Sequence, residues 1–236
     1  MSRSILQRVQ ELDWNSLGRE LDDRGSAQTS SLLSADECAE LIALYDQEVF
    51  RKRVDMGRHN YGEGEYKYFD NPLPSLVSQL RTELYPPLAQ VANRWAERLG
   101  EETTYPAEHA ELLARCHEQE QGKPTPLLLR YEAEGFNCLH QDLYGAVAFP
   151  LQVVFLLSRP GSDFTGGEFL LVEQRPRAQS RGEAIELGQG EAIIFATHHR
   201  PVFKTRGWSR INVRHGVSRI RSGRRFTLGI IFHDAA

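Results

Sequence analysis

The sequence predicts an α+β fold in which an N-terminal helical region buttresses a jelly roll. In the first half of the 236-residue chain, apolar residues recur at helical spacing. After Pro126, about eight short β-branched or aromatic runs are separated by Gly, Pro, Asp and Ser, as in a sandwich or barrel. We therefore expect a mainly helical region over residues 1–125, packing on a jelly-roll core over residues 126–236.

Helix signals are clear at three places in the first half. Ser34 and Glu37 form a capping box, and apolar residues follow at helical spacing. LPSLVSQLRTELYPPLAQVANRWAERLG is periodic throughout, and Pro86 and Pro87 in its middle predict a break into two helices. PAEHAELLARCHEQEQ predicts a further, polar helix. The aromatic-rich RHNYGEGEYKYFD predicts a short strand or hairpin instead.

Strand signals fill the second half. The runs PLLLRYEA, AVAFPLQVVFLLS, GEFLLVEQ, EAIELG and EAIIFAT each have the length and composition of a strand. The last stretch, RHGVSRIRSGRRFTLGIIF, predicts a strand, a tight turn at RSG and a returning strand.

The bulk composition is that of a globular protein, with 40% hydrophobic and 25% charged residues. No apolar run approaches the ~20 residues that cross a bilayer, and the N-terminus lacks the apolar stretch of a signal peptide. Cys38, Cys116 and Cys138 are far apart and form no CxxC pair, which argues against disulfides and zinc fingers. These features predict a cytoplasmic protein with no membrane partner.

A histidine and an aspartate separated by one residue end the stretch LLLRYEAEGFNCLHQD. Because side chains alternate along an extended strand, His140 and Asp142 point to the same side and can hold one metal ion together. A histidine from a distant strand would complete a two-histidine, one-carboxylate triad, which leaves open positions on Fe(II). The HxD pattern alone occurs by chance in many chains, so other elements have to support it.

Several such elements follow in the chain. FTGGEFLL has two glycines and Glu168 at the start of a strand, GQGEAIIF is a Gly-acidic-hydrophobic strand, and HGVSRIRSGRRFTL places Arg225 ten residues after His215. In this order, residues 127–233 resemble the Fe(II)/2-oxoglutarate-dependent dioxygenases, in particular their prolyl-hydroxylase-like and AlkB-like branches. The resemblance implies a double-stranded β-helix and an enzyme that uses O2 to hydroxylate its substrate, with release of succinate and CO2.

The resemblance also implies the catalytic iron ligands. His140 and Asp142 correspond to the proximal pair and His215 to the distal histidine. His198 and His199 also follow the EAIIF strand, and HHRPVFKTRGWSRIN could form a hairpin that supplies the distal ligand instead. The spacing from His215 to the closing glycine and arginine matches the family pattern and favours His215.

The cosubstrate 2-oxoglutarate has a remote carboxylate, which a planar guanidinium can bind through two hydrogen bonds. Strand alternation lets one of Arg224 and Arg225 point inward, and the family spacing selects Arg225. Tyr131 stands nine residues before His140, where the family often places a tyrosine that hydrogen-bonds the cosubstrate. The AlkB-like branch favours an asparagine two residues earlier, and this chain has Leu129 there.

The remaining side chains that could bind metal or take part in catalysis are predicted to have structural roles. No partner at ligand spacing accompanies four further histidines, so each is expected to be a surface or capping residue: His59, His109, His117 and His233. Cys138 is expected to be a small core residue. The aromatic stretch 61–69 could stack against a substrate or form a lid, although ordinary core and strand roles also explain it.

Three functions remain open on the sequence. Residues 196–225 contain nine basic residues and no acidic residue, which fits a polyanionic partner. The ending HGVS…SGRR…GIIFHDA also resembles that of a small group of bacterial-type oxygenases suspected of acting on nucleic acid, and this resemblance implies oxidation of a nucleic-acid base or N-alkyl group. The GGE strand and the His-to-Arg spacing instead fit hydroxylation of a protein side chain or free amino acid, and the net charge of −4 weakens the nucleic-acid hypothesis. A non-enzymatic cupin-type binding module is the third hypothesis. The oligomeric state is not predicted.

Overall fold

Residues 3–142, 145–175 and 177–236 are described by the computed structural model. Within these residues the helices are α1 (Ile5–Gln10), α2 (Trp14–Arg24), α3 (Ala35–Ala43), α4 (Ser75–Leu99) and α5 (His109–Glu118). The strands are β1 (Ser26–Gln28), β2 (Phe50–Asp55), β3 (Gly62–Glu63), β4 (Glu65–Phe69), β5 (Leu127–Tyr131), β6 (Phe136–His140), β7 (Leu151–Leu156), β8 (Phe164–Gly166), β9 (Phe169–Gln174), β10 (Arg181–Ile185), β11 (Ala192–Ala196), β12 (His199–Lys204), β13 (Gly207–Val217), β14 (Ile220–Gly223) and β15 (Arg225–Ile230).

Two antiparallel sheets face each other across the core. The major sheet has the strand order β1-β11-β7-β15-β5-β4-β2, and the minor sheet has the order β10-β9-β13-β6-β3, with β12 also paired to β13. Strands β8 and β14 form a separate two-stranded sheet. Buried and half-buried residues alternate along β9, as expected for a sheet with one covered face. The predicted jelly roll is confirmed.

Strands from the first half of the chain take part in both sheets. β1 extends one edge of the major sheet, β2 and β4 extend the other, and β3 adds to the edge of the minor sheet. The helices and both sheets contribute to one hydrophobic core. The division of the chain at residue 125 stays a prediction.

The capping box predicted at Ser34 is present, and it begins α3. The predicted break at Pro86 and Pro87 is wrong, because α4 runs through both prolines as one helix. A proline inside a helix removes a backbone hydrogen bond and costs about 3 kcal/mol. Here Leu84 before the prolines and Leu88 after them are fully buried, so packing along the whole helix outweighs that local cost.

The C-terminal hairpin predicted around the RSG turn is also wrong. β13 pairs with β6 and β9 in the minor sheet, whereas β15 inserts between β5 and β7 in the major sheet. The intervening β14 pairs with β8. A Cβ at Gly223, which has φ +77°, would overlap the carbonyl oxygen of Asp163, so this glycine allows the close approach of β14 to the β8 segment.

A buried ion pair ties α4 to the segment that follows β15. Arg81 Nη2 lies 2.8 Å from Asp234 Oδ1, and Arg81 Nε donates to the carbonyl oxygen of Ile231 at 2.8 Å. Both charged side chains are almost fully inaccessible to solvent. The helix is therefore fixed to the end of the central strand by charge as well as by apolar contact.

Two histidines that the sequence predicts at the surface lie in this buried region. His109 Nε2 donates to the carbonyl oxygen of Phe232 at 2.8 Å, and His233 Nδ1 accepts from the backbone N–H of Phe149 at 3.1 Å. Burial, reinforced by the charge of Arg81, lowers the pKa of each imidazole to about 4. Both histidines are therefore neutral hydrogen-bonding groups of the core at neutral pH.

Across the described ranges, no helix is long and apolar enough to span a membrane.

Candidate active site

A cavity of about 430 Å³ lies between the inner faces of the major and minor sheets. Alternate residues of β4, β5 and β15 form its floor, because every second side chain of a strand points inward. Leu129 on β5 lies opposite Tyr66 on β4 and Thr227 on β15, and all three line the cavity. Tyr131 and Arg225 form the next row of the same floor.

His140, Asp142 and His215 meet at the minor-sheet side of this cavity. His140 Nε2 lies 3.5 Å from Asp142 Oδ1, and His215 Nε2 lies 3.4 Å from Asp142 Oδ2. One ligand atom from each residue falls within 4.8 Å of the other two. Two imidazoles and one carboxylate in this arrangement form the donor set of a facial triad for Fe(II).

Strand pairing explains why these residues meet. His140 at the end of β6 lies directly opposite His215 on β13, and Asp142 follows β6 after one residue. That intervening residue, Gln141, donates through Nε2 to the carbonyl oxygens of His198 at 2.9 Å and Val213 at 2.8 Å. Gln141 thereby fastens the end of β6 to the neighbouring strands and fixes the direction in which the chain carries Asp142.

The histidine rings are held by packing and by one hydrogen bond. Phe195 contacts the His215 ring with centroids 4.6 Å apart, and Phe169 lies nearly parallel to it at 6.0 Å. His140 Nδ1 donates to the carbonyl oxygen of Cys138 at 2.8 Å, which leaves Nε2 as the nitrogen facing Asp142. A metal-binding histidine commonly uses its second nitrogen in this way.

The charges of the cluster suit a divalent cation. Burial raises the pKa of Asp142, but the hydrogen bond from His215 and the nearby imidazoles outweigh it and lower that pKa to about 2. Burial, together with the neighbouring His215, lowers the pKa of His140. The carboxylate is therefore ionised and the His140 imidazole neutral at neutral pH, which are the protonation states of metal ligands.

Arg225 brings an isolated positive charge to the other end of the cavity. It is 2% exposed, and its Nε and Nη1 have no hydrogen-bond partner among the described residues. Burial lowers the pKa of its guanidinium to about 10, so it remains a cation. Such a charge requires an anion, and a carboxylate fits a guanidinium well. The next residue back, Arg224, is exposed and lies 3.1 Å from Glu132.

The glycine pair of the GGE motif makes room for Arg225. At Gly167, which has φ +69°, a Cβ would overlap Ile220 Cδ1 and lie 2.9 Å from Arg225 Cδ. Glu168 accepts from the Ser218 hydroxyl and so links β9 to the segment between β13 and β14. The motif therefore shapes the wall beside the guanidinium.

His198 and His199 lie outside the cavity lining. Their Nδ1 atoms are 2.9 Å apart, and His199 Nε2 lies 3.3 Å from Glu101 beyond the end of α4. The hairpin that the sequence predicts here is present as β12 and β13. The structure thus brings His215, and neither of the two earlier histidines, to His140 and Asp142.

The structure also bears on the predictions for Cys138 and for the aromatic stretch 61–69. Cys138 is exposed at the cavity lining, so its expected place in the core is wrong. Tyr66 and Tyr68 lie on the cavity floor, Tyr61 is 49% exposed and also lines the cavity, and Phe69 is buried in the core. The stretch 61–69 therefore serves the cavity and the core together.

The acid-free basic segment 196–225 is largely neutralised by acids from distant elements. Five of its nine cations form ion pairs: Arg200 with Glu173, Arg210 with Glu101, Arg219 with Glu134, Arg221 with Glu168 and Arg224 with Glu132. Sequence composition overstates the free positive charge here, because the neutralising acids lie on other elements.

Sequence reasoning missed several residues of the cavity. Gln152 on β7, Thr227 on β15 and Asn137 on β6 all line it. The period-two pattern could have found Thr227, which stands two residues after Arg225. Gln152 and Asn137 carry no comparable local signal, because their place depends on which strands pair.

Solved structures show what kind of protein has this fold. A 2-oxoglutarate–Fe(II) oxygenase-family oxidoreductase from Burkholderia pseudomallei aligns with a TM-score of 0.53 over 96% of this chain and 94% of its own, at 18% identity. A prolyl-4-hydroxylase from Pseudomonas putida aligns with a TM-score of 0.54 over 94% and 99%, at 15% identity. The fold is that of the 2-oxoglutarate–Fe(II) oxygenases.

Residues 64–235 match the model of the Oxygenase-NA family, described as an oxygenase catalysing oxidative methylation of damaged DNA. The chain belongs to this family. An uncharacterised protein of Mycobacterium tuberculosis strain H37Rv is 53% identical over 168 residues, which are 71% of this chain and 72% of that protein. A protein of strain CDC 1551 matches equally. The chain is thus a 2-oxoglutarate-dependent Fe(II) oxygenase that uses O2, and the resemblance stated from the sequence is confirmed.

Proposed function

We propose that this oxygenase oxidises a base, or an N-alkyl group on a base, in nucleic acid. The observation that carries the proposal is the aromatic lining of the cavity beside the His–Asp–His cluster. Tyr66 and Tyr68 contribute rings to its floor, and the exposed Tyr61 contributes a ring at its surface. Aromatic surfaces of this kind bind flat bases by stacking. The description of the matched family, which names damaged DNA, supports the same substrate class.

We assign His140, Asp142 and His215 as the iron ligands. The clustering of their ligand atoms and the low pKa of Asp142 support this assignment. We assign Arg225 to the remote carboxylate of 2-oxoglutarate, because its buried guanidinium has nitrogens without a partner in the described chain. Tyr131, which lies opposite Arg225 and lines the same cavity, is assigned to cosubstrate binding beside it.

Bound Fe(II) and 2-oxoglutarate supply the oxidation, in which O2 gives one oxygen atom to the substrate and one to succinate, with release of CO2. The residues of this chain position the reactants. Arg225 orients the cosubstrate by its distal end, and Phe169 and Phe195 wall the His215 side against water. A base has to leave its stack to enter such a cavity, which favours a single strand or a flipped nucleotide.

A direct test measures succinate formed from 2-oxoglutarate by the Fe(II)-loaded enzyme with different substrates. The substrates are a single-stranded oligonucleotide carrying N-methylated bases, the same oligonucleotide unmodified, and a proline-rich peptide. We expect succinate above the uncoupled background with the methylated strand, accompanied by formaldehyde if the methyl group is hydroxylated. Stimulation by the peptide alone would reject the nucleic-acid proposal and favour hydroxylation of a protein side chain.

A further inference from the structure

Exposed large apolar side chains concentrate in two places on the described surface. Phe136 and Leu139 lie on β6, the strand that ends in His140, and Tyr61 accepts a hydrogen bond from the Cys138 backbone beside them at 2.8 Å. Phe203 and Trp208 form the second group, at the far end of the β12–β13 hairpin. Among the large hydrophobic residues of the described chain, the one remaining exposed example is Leu6 on α1.

The hairpin begins beside the candidate metal centre and extends away from it. Its base is fastened by Gln141, whose amide donates to the carbonyl oxygens of His198 and Val213. Its far end, residues 203–208, we call the hairpin tip. His215 follows Gly207 by eight residues along β13, which is roughly 26 Å of extended strand.

The tip presents a free aromatic face. Phe203 is 66% exposed and meets Trp208 edge to face, with ring centroids 5.3 Å apart. The guanidinium of Arg98 covers the Trp208 ring at 4.6 Å, and Arg98 is itself held by Asp22 at 2.8 Å. Trp208 is therefore braced from α4, and Phe203 is left as the ring available for stacking.

The tip also holds two cations without an ion-pair partner among the described residues. Lys204 and Arg206 are exposed and form no ion pair with any described residue, and the same holds for Arg214 further along β13. Lys204 and Arg206 thus place free positive charge beside the exposed ring of Phe203.

We propose that the hairpin tip binds the unpaired nucleic-acid strand beyond the reacting nucleotide. Phe203 stacks on a base, while Lys204 and Arg206 contact phosphates. An aromatic platform flanked by cations is the usual composition of a single-strand binding surface. This inference rests on the proposed nucleic-acid substrate and assigns to the tip a second contact, separate from the cavity.

The separation of tip and cavity sets a length requirement. A stacked strand rises by about 3.4 Å per nucleotide, so about eight nucleotides cover the roughly 26 Å between Gly207 and His215. A tetranucleotide that occupies the cavity cannot reach the tip while stacked. Only longer strands should therefore depend on Phe203, Lys204 and Arg206.

The test is fluorescence anisotropy of fluorescein-labelled single-stranded oligodeoxynucleotides of about 4 and about 16 nucleotides, within the site sizes usual for such surfaces. The protein is loaded with Fe(II) and 2-oxoglutarate under anaerobic conditions. The variants are Phe203→Ala and the double substitution Lys204→Ala/Arg206→Ala. The controls are Leu6→Ala, which removes an exposed apolar side chain, and Lys52→Ala/Lys123→Ala, which removes two exposed cations elsewhere.

We expect each tip variant to bind the long strand about tenfold more weakly, with unchanged binding of the short strand and wild-type behaviour of both controls. The double variant should also lower the slope of log affinity against log salt by about 1.4, because each single-strand phosphate contact contributes about 0.7. The long strand, and not the short one, should change the fluorescence of Trp208.

Three outcomes would overturn the inference, and they distinguish its failure from that of the proposed function. If the wild type binds the long strand and the tip variants bind it equally well, the tip has no such role, and the proposed substrate stands. The same conclusion follows if a duplex of equal length competes for the protein as well as the single strand does, in the wild type and in the tip variants alike. If the wild type binds neither strand and neither stimulates succinate formation, the proposed function fails together with the inference.

Discussion

Arg225 and Tyr131 face each other across β15 and β5, with the guanidinium carbon 5.8 Å from the centre of the phenol ring. Phe164 lies at a similar distance, 5.9 Å, but no carboxylate of the described chain forms an ion pair with this cation. An unpaired charge in the interior destabilises the protein when no ligand is bound. An anionic ligand that enters the cavity removes this penalty, so the folded chain is prepared for a carboxylate.

Replacing Arg225 by Gln should lower 2-oxoglutarate affinity by about 100-fold or more, because hydrogen bonds to charged groups contribute about 1.5–3 kcal/mol each. Without ligand, the melting temperature of this variant should equal or exceed that of the wild type. Anaerobic titration of the visible charge-transfer band and thermal unfolding measure the two effects. Arg224→Gln is the matched control and should bind like the wild type. Equal affinity of the two variants would refute the assignment of Arg225.

Gly167→Ala should weaken 2-oxoglutarate binding and leave metal binding intact. A Cβ at this position would overlap Ile220 and press on Arg225 Cδ, which displaces the guanidinium. Gly161→Ala is the control, since that glycine also has positive φ, at +77°, but no atom lies within 4 Å of its Cβ position. We expect at least a tenfold loss of cosubstrate affinity for the first variant and none for the second. If both variants lost cosubstrate affinity to a similar extent, the loss would be due to backbone strain and not to displacement of Arg225.

His215→Ala and His140→Ala should each abolish the charge-transfer band that forms with Fe(II) and 2-oxoglutarate. A triad that loses one of three protein ligands no longer holds the metal at ordinary concentrations. His198→Ala and His199→Ala should retain the band, because both residues lie outside the cavity lining. A band that survives in His215→Ala but disappears in His198→Ala would move the distal ligand to β12.

Acid should destabilise the protein through His109. Its pKa is about 4 in the folded state and about 6.5 in the unfolded chain. Above pH 6.5 both states hold it neutral and its contribution to stability is constant. As the pH falls from 6.5 to 4, the unfolded state binds the proton first, so the free energy of unfolding decreases by an amount on the order of 3 kcal/mol.

Urea unfolding between pH 4.5 and 8 measures this loss. His109→Gln keeps a donor for the Phe232 carbonyl oxygen and removes the titration, so its stability should depend less on pH. Part of the dependence should remain, because His233 has a similarly low pKa. An unchanged pH dependence in the variant would mean that His109 does not contribute.

The sequence predicts well what local pattern determines. The short apolar runs GEFLLVEQ and EAIIFAT predict β9 and β11, and the capping box at Ser34 predicts the start of α3. The glycine pair before Glu168 marks a close backbone approach that only glycine permits. The spacing from His215 to Arg225 is informative through the family resemblance and not through a local pattern, because the two residues lie on strands of different sheets.

The sequence predicts poorly what depends on partners distant in the chain. Pro86 and Pro87 predict a break in isolation, and buried contacts along α4 keep the helix whole. β14 pairs with β8, whereas β15 lies in the major sheet. No turn residue in the sequence indicates this change of sheet. His109 lies on the buried face of α5 with Leu112 and Cys116, but its hydrogen-bond partner, the Phe232 carbonyl, is distant in the chain and leaves no local signal.

The position of β15 has a consequence for the biosynthesis of the enzyme. This strand lies between β7 and β5 in the major sheet, yet among the described residues it is the last of fifteen strands in chain order. Until it leaves the ribosome, β5 and β7 each expose an unpaired edge, which is a surface for aggregation or for chaperones. Arg225 emerges with the same strand. Synthesis that stops before residue 225 therefore yields an unfinished major sheet that also lacks Arg225, the residue proposed to bind the remote carboxylate of 2-oxoglutarate, and its exposed strand edges make it a target for chaperones or proteases.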